Sequence, residues 1–114
     1  MKNEEHIEQV NFINWFEYNH PNVKIFAIPN GGKRHPKVAA ELKAEGVKRG
    51  IPDLFIPEWH LWIEMKKVKG STTSKEQKAW LKYLSDVGYT TEVCRGFLEA
   101  KQFVLNFIAD KETK

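Results

Sequence analysis

The strongest constraint on the fold lies between Gly50 and Lys67. The chain runs apolar through Leu54-Phe55-Ile56, turns at Pro57-Glu58-Trp59-His60, and returns as Leu61 to Lys67. Two short β-type runs separated by a turn read as a hairpin. Side chains on a strand alternate between faces with a period of two. In the second run Leu61, Ile63 and Met65 therefore share one face, and Trp62, Glu64 and Lys66 share the other. Asp53 shares a face with Phe55 and lies at the end opposite the turn. If the runs pair, Asp53 comes alongside Glu64 or Lys66, and two carboxylates and a lysine converge on one sheet. The opposite face is apolar and must be covered.

The elements that cover it are readable on both sides. Asn3 to Tyr18 has Ile7, Val10, Ile13 and Phe16 near helical spacing, with Asn3 as a cap and His20-Pro21-Asn22 as a stop. Val23 to Ile28 reads as a strand, and Asn30-Gly31-Gly32 as a turn. Lys37 to Glu45 reads as a short helix with Gly46 just past its end. After the hairpin, Lys69-Gly70-Ser71-Thr72-Thr73 is a loop and Ser74 to Val87 a helix closed by Gly88. Tyr89 to Cys94 is a strand, and Phe97 to Ala109 is a helix with Ala100, Phe103, Val104, Phe107 and Ile108 on one stripe. Only Asp110 to Lys114 looks disordered. The order α-β-(α)-β-β-α-β-α predicts an α/β fold, a mixed central sheet flanked by helices.

Residues 1–114 fit a single domain, large enough to bury about two thirds of its unfolded surface. Seven Phe and four Trp supply core material. The net charge of +3 permits a polyanionic partner without demanding one. The single cysteine, Cys94, forbids an intrachain disulfide and suits a reducing, cytoplasmic compartment. Cys94 alternates with Glu92 and reads as a small buried hydrophobe. Met1 is followed by polar residues rather than an apolar run, so no signal peptide is expected, and no stretch suggests a membrane span. The four histidines lack ligand spacing, and neither Walker nor dinucleotide-binding glycine patterns appear.

The convergent Asp53, Glu64 and Lys66 suit phosphodiester hydrolysis. Magnesium prefers carboxylate oxygens and keeps several waters, leaving positions for a phosphate and a nucleophilic water. A nearby lysine can position that water or stabilise developing charge. Glu-x-Lys on a strand is, taken alone, most often a solvated pair. A Pro-Asp before an apolar strand makes the combination more specific. Lys33, Arg34, Lys48 and Arg49 stand in loops beside glycines, as expected of a groove that tracks phosphates, whereas Lys37 and Lys43 fit a solvated surface.

Three segments, Gly50-Ile51-Pro52-Asp53-Leu54, Trp62-Ile63-Glu64-Met65-Lys66 and Lys75-Glu76-Gln77-Lys78-Ala79-Trp80, resemble the PD-(D/E)xK nuclease superfamily. The nearest resemblance is to its virus-type replication-repair nuclease (VRR-NUC) domain, common in phages. It also takes in Ala27-Ile28-Pro29-Asn30-Gly31-Gly32-Lys33-Arg34 and the stretch from Gly46 to Gly50, and so runs over nearly the whole chain. The resemblance implies a restriction-endonuclease-like fold and a magnesium-dependent DNA endonuclease, with manganese as a substitute. Asp53, Glu64 and the backbone carbonyl of Met65 would be metal ligands, and Lys66 the catalytic lysine.

Family members often add a glutamine from the helix after the core strands and an acid from the first helix. Gln77 matches the glutamine, although Ser74-Lys75-Glu76-Gln77 also reads as a capping box. Glu5 matches the acid best, because Glu5 and Gln9 reproduce the family's Glu-x-x-x-Gln spacing. Glu8 stays open as the alternative. Asn30, within Pro-Asn-Gly-Gly, would join Lys33, Arg34, Lys48 and Arg49 on the substrate. The resemblance further implies branched DNA such as a four-way junction as partner, a homodimer as the active unit, and host cytoplasm as the location if the protein is phage-encoded. The apolar final helix offers a surface for the second copy. The competing expectations are a non-cleaving nucleic-acid-binding module of the same fold and an unrelated small α/β domain. Retention of all three charged residues favours the enzyme.

Overall fold

A computed structural model describes residues 4–29 and 35–112. The elements follow the expected order: α1 (Glu4–Asn19), β1 (Phe26–Ala27), α2 (Pro36–Ala44), β2 (Leu54–Ile56), a 3₁₀ turn (Pro57–Trp59), β3 (Leu61–Lys66), α3 (Lys75–Asp86), β4 (Thr90–Arg95) and α4 (Phe97–Glu112). The four strands lie in the order β1-β2-β3-β4. β1–β2 and β2–β3 pair antiparallel, and β3–β4 pair parallel. A parallel neighbour cannot be reached by a tight turn, and α3 makes the crossover. The molecule is thus a mixed α/β sheet between helices, as the sequence order predicts. No helix among the described residues is long and apolar enough to cross a membrane.

One face of the sheet is the core. Leu54, Ile56, Leu61, Ile63, Met65 and Cys94 are fully buried there with Phe12 and Phe16 of α1 and Ala100 and Val104 of α4. Removing roughly a whole Leu or Phe side chain from water is worth about 1.5–3 kcal/mol, so this layer dominates the stability. Cys94 takes the place expected of a small hydrophobe, and burial pushes its thiol pKa up to about 12.

The structure corrects several expectations. The inward stripe of α1 is not Ile7, Val10, Ile13 and Phe16. Ile7 and Val10 are exposed, Ile13 is half-buried, and the buried pair is Phe12 and Phe16. Continued toward the N-terminus at helical spacing, that stripe reaches Glu8 and Glu5. Its first half is therefore polar, and a hydrophobic pattern cannot reveal it. The strand expected over Val23 to Ile28 shrinks to Phe26–Ala27, because the three residues of β2 supply only two partners. One further backbone bond, Ile28 N to Asp53 O at 2.8 Å, extends the contact. The second helix starts at Pro36, with His35 Nδ1 accepting from Lys37 N at 3.1 Å as its cap. The last helix continues through Asp110 to Glu112 instead of dissolving there. Its apolar stripe is half-buried: Phe103 and Ile108 pack on the core and Phe107 against Trp59, while Phe103 and Phe107 also border a groove at the surface. The cap expected at Asn3 lies outside the described residues.

Candidate active site

β3 is buried on both faces. Glu64 is 1% and Lys66 6% exposed, opposite the apolar Ile63 and Met65. The register that pairs Leu54 with Ile63 continues to set Asp53 opposite Glu64. β2 starts only at Leu54, so beyond that point Met65 needs a hydrogen-bond acceptor for its N–H. Asp53 Oδ2 supplies it at 2.8 Å. The side chain of Asp53 replaces a ladder partner where the two strands separate, and this fixes its carboxylate at the end of the hairpin.

α3 closes the other side. Ser74 Oγ accepts from Gln77 N at 3.1 Å, and Gln77 Oε1 accepts from Ser74 N at 2.8 Å, a complete capping box. The same Gln77 side chain bridges the charged pair of β3. Its Oε1 accepts from Lys66 Nζ at 2.8 Å, and its Nε2 donates to Glu64 Oε2 at 2.9 Å. Lys66 Nζ also lies 3.5 Å from Glu64 Oε2. Both sequence readings of Gln77 therefore describe one side chain, cap on the helix side and bridge on the strand side. Glu64 Oε1 is buried with no amide or ammonium donor on it, and the Glu64 carboxyl lies within hydrogen-bond reach of the Asp53 carboxyl, which a proton shared between the two acids would bridge.

A cleft of about 340 Å³ is lined by Glu5, Arg49, Gly50, Ile51, Asp53, Glu64, Ser74, Glu76 and Gln77; Lys66 is not in its lining and sits behind Gln77, to which its Nζ donates. Glu5 enters the cleft from α1. Glu8 does not; its Oε1 accepts from Phe97 N at 2.6 Å, at the start of α4. Arg49 stands at the mouth, exposed, while Lys48 is exposed and does not line the cleft. Asn30, Lys33 and Arg34 lie outside the described residues. Sequence reasoning alone gives no physical reason for Gly50. With φ +89°, a Cβ there would fall 2.7 Å from the backbone carbon of Glu76 and 2.9 Å from Gln77 N. The loop before Asp53 touches the first turn of α3, and only glycine permits that approach. The Gly-x-Pro-Asp signal carried this information, but only the packing of α3 explains it.

The electrostatics of the cleft are those of crowded acids. Burial, then the charge of Asp53, pushes the Glu64 carboxyl up to about 8, with Lys66 acting in the opposite direction. Asp53 is also raised by burial, opposed by the Met65 N–H that it accepts. Glu5 is raised by burial and then by Asp53. Among the described residues no three His, Cys, Asp or Glu side chains gather closely enough to hold an ion by themselves. A hard ion that keeps several waters can be held by one or two protein carboxylates. Two buried carboxyls in contact that resist ionising together, one with an oxygen that no amide or ammonium donor reaches, fit a cation, which would favour the ionised form of both.

A mixed sheet that presents two carboxylates and a lysine where its paired strands part defines a nuclease-type fold. Residues 3–98 match the VRR-NUC domain, and the chain belongs to that family. It is also similar to a solved structure described as a VRR_NUC domain protein, with 27% identity and a TM-score of 0.75, over 96% of this chain and 91% of that one. No curated protein matches the sequence.

Proposed function

We propose that this protein is a magnesium-dependent endodeoxyribonuclease that hydrolyses phosphodiester bonds in branched DNA, such as four-way junctions, as a homodimer. Family membership supports nuclease chemistry and a nucleic-acid partner. The observation that carries the metal and the reaction is the buried pair of Asp53 and Glu64 carboxyls in contact, with Lys66 and Gln77 on Glu64 Oε2. Asp53 and Glu64, with the carbonyl of Met65, would hold the ion. When bound, magnesium or manganese polarises a phosphoryl oxygen and lowers the pKa of water.

The remaining work belongs to the chain. Gln77 holds Lys66 Nζ in place, so that the ammonium can orient the attacking water and meet charge developing on the phosphate. Arg49 at the mouth, with Lys48 nearby in sequence, attracts the phosphate backbone. Asn30, Lys33 and Arg34 would add to that substrate surface. Glu5 adds a third acid to the cleft. A junction requires two symmetric nicks, and a two-fold dimer supplies two such sites from one chain.

The test is plasmid nicking with and without magnesium, followed by cleavage of a synthetic junction and of linear duplex. Loss of a positioned acid–base group costs about 10²–10⁴-fold. Asp53→Ala and Lys66→Ala are expected to lose at least that much while remaining folded. Wild-type binding without any metal-dependent cleavage would favour the non-cleaving reading. Near-normal nicking by folded Asp53→Ala protein would overturn the site.

A further inference from the structure

Three consecutive residues at the end of β4 and the start of α4 tie together the loop before α3, the end of β3 and α1. Arg95 Nη1 donates to the Ser71 carbonyl at 2.8 Å, in the loop that leads to Ser74 and Gln77. Gly96 N donates to the Lys66 carbonyl at 2.9 Å, at the end of β3. Phe97 N donates to Glu8 Oε1 at 2.6 Å, on α1. The packing at this junction is tight. Gly96 has φ +95°, and a Cβ there would meet Val68 Cγ2 at 2.7 Å and Glu8 Oε1 at 3.1 Å.

We propose that Glu8 is a positioning residue of the candidate active site: its carboxylate locks α1 onto the start of α4 and thereby delivers Glu5 to the Asp53–Glu64 cleft. The inference rests on the reading of that cleft as catalytic. Glu5, Glu8 and Phe12 follow one another at helical spacing on the inward stripe of α1. The apolar anchor of the helix begins only at Phe12, because Ile7 and Val10 are 40% and 41% exposed. Apolar packing is non-directional, and the first turns of a helix fray unless they are tied. Glu8 supplies a directional tie one turn from Glu5. The tie is favourable in itself, since the free N–H groups and positive end of the 16-residue α4 suit a carboxylate.

The test compares Glu8→Gln, Glu8→Asp and Glu8→Ala, alone and combined with Glu5→Gln. The glutamine retains an acceptor of the right length; the aspartate retains the charge and falls short. With magnesium and nicked plasmid as readout, Glu8→Ala and Glu8→Asp are expected to lose about tenfold or more in kcat with KM nearly unchanged, the pattern of a lost transition-state contribution. Glu8→Gln is expected to restore most of the rate. In the Glu5→Gln background, Glu8→Ala should cost almost nothing further, because contacts that act through one another are not additive. Independently of cleavage, hydrogen exchange should quicken at Phe97 and in the first two turns of α1, and remain slow around Phe12 and Phe16. Unchanged exchange in the first turns of α1, or an equal loss of rate with and without the Glu5 carboxylate, overturns the proposal. If Glu8→Ala does not fold, the contrast between Gln and Asp decides: equal rates overturn it. Should the wild type cut no DNA, the nuclease reading fails, and the exchange experiment alone decides whether Glu8 holds α1 in place.

Discussion

Among the acids of the cleft, Glu64 is the one pushed furthest from its ordinary value. Its carboxyl is pushed up to about 8, first by burial and then by Asp53. A folded-state pKa above the ordinary carboxylate value means that the fold favours the neutral form. The stability this contributes is complete below the ordinary value of 4.5 and is lost as pH rises through about 8. The melting temperature of metal-free protein should therefore fall across that window, and Glu64→Gln should flatten the fall, as thermal melts over a pH series will read. Magnesium favours the ionised form, so its thermal shift should be larger at the alkaline end of the window. Calcium should also raise the melting temperature, yet support little cutting. Both shifts should vanish in Glu64→Ala; an equal shift there would place the ion elsewhere. Asp53, Glu64 and Lys66 are legible in the sequence because strand alternation and a turn alone bring them together. Burial of Glu64 and Lys66 is not, since a charged strand face ordinarily reads as solvated, and it is α3 that covers this one.

At the scale of elements, the site depends on how closely α3 approaches the loop before β2. Two left-handed glycines test this separately. Gly46 has φ +103° with open space where a Cβ would stand, nothing lying within 4 Å, whereas Gly50 has φ +89° and the backbone of Glu76 at 2.7 Å. Gly46→Ala should cost about 1–2 kcal/mol of backbone strain and leave nicking intact. Gly50→Ala carries the same strain and must also push the first turn of α3 away, so it should lose more stability and most of the cleavage rate. Urea unfolding and plasmid nicking on both variants check this; equal activity would mean that Gln77 need not sit where it does. Element order and the hairpin are readable in advance because they rest on local periodicity and turn residues. The inward face of α1 is not, because its upper half carries Glu5 and Glu8 instead of apolar side chains. The two acids separate only once the start of α4 is seen to occupy Glu8. The length of β1 escapes the sequence for a related reason, as it depends on the number of partners β2 offers.

At the scale of the molecule, the proposed dimer needs a surface for its second copy. The stripe of Phe103, Phe107 and Ile108 packs partly on its own chain, and Phe103 and Phe107 also line a groove with Asn106 and Lys111. A different apolar surface remains open on α3, a groove of about 330 Å³ lined by Ala79, Trp80 and Tyr83. Trp80 and Tyr83 meet edge to face at 5.6 Å, and Tyr83 is 56% exposed. Aromatic side chains of this kind supply much of the energy at protein interfaces. α3 also carries Gln77, so a two-fold contact along it would set two clefts in a fixed relation, as paired nicks in a junction require. Light scattering should then give twice the 13.3 kDa chain mass. Tyr83→Glu should halve that mass, because it sets a charge against its own image across the axis. The variant should keep slow nicking of plasmid and lose the paired cuts that resolve a junction, since Tyr83 lies outside the cleft. A wild-type monomer that cuts linear duplex and junction equally well would remove the dimer and leave the nuclease reading standing. A Tyr83→Glu protein that is still dimeric would move the interface to another surface.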